Sequence, residues 1–145
     1  MKTFIFDLDG TLANINNRLH FIKCDKPDWS SFFKACVDDV PIQQTIDILN
    51  CLSKEFRIII SSGRSDVVAH ETRQWLDLNQ VRYHSILMRN DGDHRPDDEL
   101  KRYWLDNGFF GRVEDIVGVF DDRKRVVDMW RRNGLICYNV ADGDY

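Results

Sequence analysis

Five short apolar runs lie along the chain, separated by longer stretches of mixed polarity. Each run is nearly continuous in apolar residues, mostly Ile, Val, Leu and Phe, which is typical of strands buried on both faces of a parallel sheet. The runs are FIF from Phe4, RIIIS from Arg57, SILM from Ser85, IVGVF from Ile116 and LICYNV from Leu135. The sequence therefore predicts five strands of one sheet.

The stretches between these runs repeat apolar residues at helical spacing. Pro41 is a favourable first residue for a helix, and apolar positions that follow it share one face as far as Leu52. Stretches around Trp75, Trp104 and Trp130 show the same periodicity. Strands that alternate with helices predict right-handed crossovers and a doubly wound α/β sheet.

Residues 13–40 interrupt this alternation. The stretch ANINNRLHFIKCDKPDWSSFFKACVDDV contains a short helical pattern from Trp29 to Val37 and little strand character. An insertion of this length directly after a first strand is typical of a lid or of a substrate-contacting element. We therefore expect one domain over residues 1–145, with a small helical cap inserted at about residues 13–40.

Composition narrows the class of protein. A length of 145 residues and a hydrophobic fraction of 43% suit a single core, and a net charge of −4 argues against non-specific binding along nucleic acid. The chain shows no secretory signal pattern and no apolar run long enough to cross a membrane, so we expect a cytoplasmic protein, in a bacterium or a phage-infected host. The four cysteines and four histidines are scattered without metal-ligand or disulfide spacing.

Two pairs of aspartates follow predicted strands. Asp7 and Asp9 end the first run, and Asp121 and Asp122 end the fourth. Ligands of open α/β sheets bind at the carboxyl ends of the strands, and residues two apart in an extended strand project to the same side. A cluster of four carboxylates would be repulsive without a cation, and an all-oxygen ligand set suits Mg²⁺.

Other interpretations of the same motifs remain open. DLDGT is also compatible with a tight turn after a strand, and one of Asp121 and Asp122 with a helix N-cap. Asp97 and Lys101 have the spacing of an ordinary helical salt bridge, and Arg18 requires no explanation if it lies at the surface.

The carboxylates suit phosphoryl transfer. With a bound cation, one aspartate can attack phosphorus and form an aspartyl-phosphate, while a second with a raised pKa moves protons. Phosphoryl oxygens also require donors and cations. Ser62 and the amides of the turn at Gly63 are candidate donors, and the candidate cations are Arg18, Arg64 and Lys101.

The motifs FDLDGT, IIISSGR, a helical Lys and VFDDR, in this order, resemble the haloacid dehalogenase superfamily of Mg²⁺-dependent phosphotransferases. The resemblance implies a Rossmann-like sheet with strand order 3-2-1-4-5. It also implies that Asp7 is the nucleophile and Asp9 the general acid and base. The implied phosphate-binding residues are Ser62 and Lys101, and Asp121 and Asp122 supply metal ligation.

A narrower resemblance covers nearly the whole chain. DLDGTLANINNR, SGR, GDHRPDDELK and FDDRKRVVDMWRRNGLICYNVADGDY are similar to the 3′-phosphatase domains of the polynucleotide kinase-phosphatases of T-even bacteriophages. This resemblance implies metal ligation by the carboxylates of Asp7 and Asp122 and the carbonyl of Asp9. The full set of candidate substrate- and phosphate-binding residues is Thr11, Arg18, Ser62, Gly63, Arg64, Asp97, Lys101 and Arg123, and the candidate metal ligands are Asp7, Asp9, Asp121 and Asp122.

The sequence leaves three candidate functions open. The first is removal of 3′-phosphate from DNA or RNA ends. Because the sequence contains no G-x-x-x-x-G-K-[ST] loop, we expect no kinase domain in it, and it is either a stand-alone phosphatase or an excised domain. The second is hydrolysis of a nucleoside monophosphate or other small phosphoester closed in by Trp29, Phe32 and Phe33, although aromatics at helical spacing more often pack in a core. The third is an inactive binding module that pairs with a separate kinase or ligase.

Overall fold

A five-stranded parallel sheet is the centre of the computed structural model, which describes residues 1–143. Across the sheet the strands lie in the order Ser85–Arg89, Arg57–Ser65, Thr3–Asp7, Ile116–Arg123 and Cys137–Gly143, which is the predicted order 3-2-1-4-5 once the two short strands of the cap are left out of the numbering. Over the described residues the strands are β1 (Thr3–Asp7), β2 (Ala13–Asn14), β3 (Val40–Pro41), β4 (Arg57–Ser65), β5 (Ser85–Arg89), β6 (Ile116–Arg123) and β7 (Cys137–Gly143).

Helices cover both faces of this sheet. In chain order the α-helices of residues 1–143 are α1 (Trp29–Lys34), α2 (Gln43–Leu52), α3 (Ala69–Leu78), α4 (Asp97–Asp106) and α5 (Lys124–Arg132). Short 3-10 helices occur at Leu19–Phe21, Ala35–Asp38, Asp66–Val68 and Val113–Asp115. Along the described chain, no helix is both long and apolar enough to cross a membrane.

The alternation of side chains along β1 divides the core into two layers. Phe4 and Phe6 pack with residues of α2 and α3, whereas Ile5 packs with residues of α4 and α5, including Trp104 and Trp130. Burial on both faces explains why the central residues of β1, Phe4 to Phe6, are all apolar. The doubly wound α/β class predicted from the sequence is therefore confirmed.

The cap lies between β1 and α2. The two-residue strands β2 and β3 pair antiparallel, with Ala13 opposite Pro41, and they close the base of the cap. The prediction that Pro41 opens a helix is wrong, because Pro41 lies in β3 and α2 begins at Gln43. The helical pattern predicted from Trp29 to Val37 is present as α1, followed directly by the 3-10 helix Ala35–Asp38.

Candidate active site

Asp7 is anchored at the carboxyl end of β1. Its Oδ1 accepts a hydrogen bond from Lys101 Nζ at 2.8 Å, and its Oδ2 accepts one from Thr11 Oγ1 at 3.1 Å. Lys101 is presented by α4 and also donates to Asp121 Oδ2 at 3.2 Å. The same oxygen of Asp121 accepts a hydrogen bond from Trp130 Nε1 at 3.1 Å. Two helices on one face of the sheet therefore orient the carboxylates at two adjacent strand ends.

Three of the four predicted metal ligands form a compact cluster. One carboxylate oxygen from each of Asp7, Asp121 and Asp122 lies within 4.8 Å of the others, and all three residues are buried. Burial, followed by the charge of Asp121, raises the pKa of Asp7 well above its usual value, although Lys101 opposes this. Burial alone would lower the pKa of Lys101, but Asp121 and Asp7 raise it above its ordinary value, so the ammonium stays charged.

The backbone approaches Asp122 closely at Gly10. This glycine has a φ of +84°, and a Cβ added to it would clash with Asp122 Oδ2. A Cβ at Gly143 would meet the same oxygen at 2.5 Å. The turn at Gly10 therefore does more than reverse the chain. Because glycine has no Cβ, it leaves room for the carboxylate of Asp122.

The carboxylate of Asp9 is not part of this cluster. Its Oδ1 accepts hydrogen bonds from Arg64 Nε at 2.9 Å and from Arg18 Nη2 at 2.8 Å. Burial alone would raise the pKa of Asp9, but Arg64 and Arg18 lower it below its ordinary value. The expectation of a raised pKa for this aspartate is therefore wrong, because the two arginines outweigh the effect of burial.

Asp39, which the sequence did not identify, holds both of these arginines. Arg18 donates to Asp39 Oδ1 at 2.9 Å and Oδ2 at 2.8 Å, and Arg64 Nη2 donates to Oδ2 at 3.1 Å. Arg18 also donates to the carbonyl of Phe32 at 3.1 Å, with its guanidinium 4.4 Å from the centre of that ring. Arg18 is fully buried, so its interpretation as an ordinary surface residue is wrong.

Asp97 joins the strand ends to α4. It accepts hydrogen bonds from Arg89 Nη2 and, at 3.0 Å, from Arg123 Nη1, and a Cβ at Gly63 would meet Asp97 Oδ1 at 2.5 Å. The hydrogen bonds of Lys101 go to the carboxylate cluster rather than across one helical turn to Asp97. Arg89, also missed from the sequence, donates to the carbonyl of Gly63 at 2.8 Å.

A cavity of about 590 Å³ opens beside the cluster. The predicted site residues that line it are Asp7, Asp9, Gly63, Asp97, Lys101, Asp121, Asp122 and Arg123. Four others, Thr11, Arg18, Ser62 and Arg64, are buried behind its walls. Ser62 Oγ accepts a hydrogen bond from the amide of Arg64 at 3.1 Å, which is a role in shaping the turn. Most of the remaining wall comes from the cap and from the segment 89–96, with Ser65, Val67, Arg125 and Val126 completing it.

Comparison with known proteins identifies the family to which the chain belongs. The family model of the polynucleotide kinase PNKP phosphatase domain matches residues 1–145. A protein of Autographa californica nuclear polyhedrosis virus, whose name describes a bifunctional polynucleotide kinase/RNA ligase, is 27% identical over 136 residues; the match covers 90% of this chain and 18% of that protein.

Solved structures agree with this match. A chain in the structure of the Pnkp1/Rnl/Hen1 RNA repair complex is 31% identical with a TM-score of 0.82, and the match covers 99% of this chain but 43% of that chain. A haloacid dehalogenase-like hydrolase from Streptococcus pneumoniae is 17% identical with a TM-score of 0.67, over 96% of this chain and 84% of that one, and shows the shared fold. The chain thus spans less than half of the repair proteins that it matches.

Proposed function

The chain belongs to the family of polynucleotide kinase PNKP phosphatase domains and is a phosphatase, and from this premise we propose that it is a Mg²⁺-dependent phosphomonoesterase that removes 3′-phosphate from DNA or RNA ends. The observation that carries the proposal is the carboxylate cluster beside Lys101, which lines a cavity large enough for a nucleotide. Asp7, with both oxygens oriented by Lys101 and Thr11, is the proposed nucleophile.

The residues of the cluster fit a magnesium ion. Asp7, Asp121 and Asp122 offer hard oxygen ligands within 4.8 Å of one another, and Lys101 is the cation that hydrogen-bonds to two of them. Three buried carboxylates beside one ammonium leave an excess of negative charge that a divalent cation offsets. When bound, Mg²⁺ would neutralise charge on the phosphate ester and draw it toward the nucleophile.

The proposed reaction has two displacements. In the first, Asp7 forms an O–P bond while the bond from phosphorus to the 3′-oxygen of the substrate breaks, and Asp9 gives a proton to that oxygen. In the second, water attacks phosphorus, the bond to Asp7 breaks, and Asp9 accepts the proton of the water. Arg64 and Arg18 lower the pKa of Asp9 despite its burial, which favours the ionised state that accepts a proton from water in the second displacement.

Arg123 and Lys101 are the proposed cations for the transferring phosphoryl group, because both line the cavity. Ser62, Arg64, Arg18 and Thr11 shape the site from behind its walls, through hydrogen bonds to Asp9, to Asp7 and to the turn after β4. Asp97 is proposed to position Arg123 and the Gly63 turn.

The biological setting is part of the same proposal. The matched relatives are named for polynucleotide kinase, RNA ligase and RNA repair assemblies, and each is much longer than this chain. We therefore propose that the phosphatase acts with a kinase or ligase, on nucleic-acid ends in the cytoplasm. A catalytically inactive module is disfavoured, because the nucleophile, its lysine and the carboxylate cluster are all present.

The test is release of inorganic phosphate, with Mg²⁺ and with EDTA, from a 3′-phosphorylated oligonucleotide, its 5′-phosphorylated counterpart and a 3′-mononucleotide. We expect Mg²⁺-dependent release that is selective for the 3′-phosphorylated oligonucleotide. Asp7→Asn should abolish release, while Asp47→Asn on the exposed surface of α2 should not change it. Faster hydrolysis of the mononucleotide would establish a small-molecule phosphatase instead, and no release from any ester would establish a binding module.

A further inference from the structure

The cap places an exposed tryptophan beside the catalytic cavity. Of the four tryptophans in the chain, Trp75, Trp104 and Trp130 are at most 5% exposed, whereas Trp29 is 49% exposed. Trp29 is the first residue of α1 and lines the cavity together with Phe32 and Phe33. The expectation that these aromatics form a core is correct for Phe32 and wrong for Trp29.

The indole of Trp29 is held by its neighbours rather than being a loose surface group. Its ring centre lies 5.6 Å from that of Phe32, in an edge-to-face arrangement, and 6.0 Å from that of Phe33. Phe32 is buried and lies against the guanidinium of Arg18. Trp29, Phe32 and Phe33 form an aromatic wall of the cavity. Through Phe32 this aromatic wall packs against Arg18, which also hydrogen-bonds to Asp9.

The cavity has room for more than a phosphoryl group. Its volume of about 590 Å³ lies within the range of about 300 to 1,000 Å³ that is usual for small-molecule sites. Asp7 and Lys101 line the same cavity as Trp29 and Phe33, so a molecule attached to the phosphoryl group meets an aromatic surface. His94 and Pro96 contribute further ring surface to the lining.

We propose that Trp29 and Phe33 form a subsite that stacks on the base of the terminal nucleotide while its 3′-phosphate lies at Asp7. This inference rests on the proposed function and names how the terminal nucleotide is recognised. Stacking tolerates any base because every base has a π-face, so the subsite confers no sequence preference. A base can reach the subsite only when it is unpaired, which predicts faster hydrolysis of single-stranded 3′ ends than of blunt duplex ends.

The kinetic test compares two oligonucleotides that differ only in their last residue. One ends in a normal 3′-nucleotide and the other in an abasic sugar, and both carry a 3′-phosphate. For the wild-type protein we expect kcat/KM to be about tenfold higher with the normal end. Trp29→Ala should bring this ratio close to one, whereas Trp29→Phe, which keeps a ring, should retain a large part of it.

Tyr138→Ala is the matched control. Tyr138 is 50% exposed, like Trp29, but it lies on β7 and does not line the cavity. This variant should keep the wild-type ratio between the normal and abasic ends. Circular dichroism of all three variants checks that α1 and the sheet are retained.

Tryptophan fluorescence gives a second readout. Since Trp29 is the exposed indole, stacking should quench fluorescence when Asp7→Asn protein binds the 3′-phosphorylated oligonucleotide with a normal end, and quench it much less with the abasic end. Inorganic phosphate alone should leave the signal unchanged.

The outcomes separate the two proposals. Equal hydrolysis of the normal and abasic ends, with no quenching, overturns the stacking subsite and leaves the phosphatase assignment intact. Hydrolysis of neither oligonucleotide, together with hydrolysis of a small aryl phosphate, overturns the proposed function and the subsite with it. A ratio that survives Trp29→Ala overturns the assignment of the subsite to this residue.

Discussion

Arg18 and Asp39 form a two-point salt bridge at the inner end of the cap, with Nε–Oδ1 and Nη2–Oδ2 distances of 2.9 and 2.8 Å. Neither side chain is exposed to solvent. The other hydrogen bonds of the Arg18 guanidinium reach Asp9 and the carbonyl of Phe32. One guanidinium therefore connects the aromatic wall of the cap to the proposed acid and base.

The first prediction concerns Asp39→Asn. This change keeps the shape of the side chain but leaves the guanidiniums of Arg18 and Arg64 buried with Asp9 as their shared carboxylate. Breaking a buried ion pair by neutralising one partner costs about 3 kcal/mol, so the free energy of unfolding in urea should fall by this order. Displacement of Arg18 and Arg64 should also lower kcat on the order of a hundredfold.

Asp38→Asn is the control, because Asp38 is the exposed neighbour of Asp39 in the sequence. It should change neither the free energy of unfolding nor kcat measurably. Wild-type stability and turnover in Asp39→Asn would show that Asp9 alone holds the two arginines.

The second prediction separates backbone strain from contact with Asp122. Gly10 and Gly108 have φ values of +84° and +74°, so a change to Ala strains both positions similarly. A Cβ at Gly10 clashes with Asp122, whereas one at Gly108 meets no atom within 4 Å. We expect both variants to lose about 1 kcal/mol of stability and Gly10→Ala alone to lose about 10- to 100-fold in Mg²⁺-dependent phosphate release. Equal activity in the two variants would remove Gly10 from the metal site.

The strands were predictable because buried parallel strands carry near-continuous apolar runs, such as Ile58 to Ile60 in β4. The residues at which the strands begin and end were less predictable. The last strand begins at Cys137 rather than Leu135, because the amide of Leu135 donates to the carbonyl of Trp130 and closes the turn after α5. The prediction that a helix begins at Pro41 failed because the fixed φ of proline suits the start of a helix and a short edge strand equally well.

The site residues that could be predicted are those at strand ends, where topology brings sequence-distant carboxylates together. Asp39 could not be found in this way, because its contacts with Arg18 and Arg64 span 21 and 25 residues and depend on how the cap folds back. Nothing in the sequence distinguishes it from Asp38. Arg89 had one positional signal, since it is the last residue of β5 and lies at the same edge of the sheet as Asp7.

The third prediction concerns the thiols. Cys24 and Cys51 are exposed, whereas Cys36 and Cys137 are buried. Burial raises the pKa of Cys36, and burial together with the charge of Asp121 raises the pKa of Cys137 to about 12. In the native protein at about pH 8, a chromogenic disulfide reagent should modify two thiols rapidly and the other two only after unfolding.

A double variant, Cys24→Ser with Cys51→Ser, provides the control for this count. It should show no rapid phase while retaining phosphatase activity. Rapid modification of all four thiols in the native wild-type protein would contradict the burial of Cys36 in the cap and of Cys137 in β7.

The last prediction concerns Lys101→Met. Lys101 supplies a positive charge in direct contact with Asp7 and Asp121, so Met leaves buried carboxylates without it and should lower the free energy of unfolding in EDTA by about 3 kcal/mol. Mg²⁺ at the same carboxylates would replace part of the missing charge, so the loss should be smaller in Mg²⁺ than in EDTA. Turnover should fall on the order of a hundredfold in either case, because the nucleophile loses the donor that orients it. Lys54→Met, at an exposed position, should leave both quantities at wild-type values, and a loss of stability in Lys101→Met that is independent of Mg²⁺ would place the cation away from this cluster.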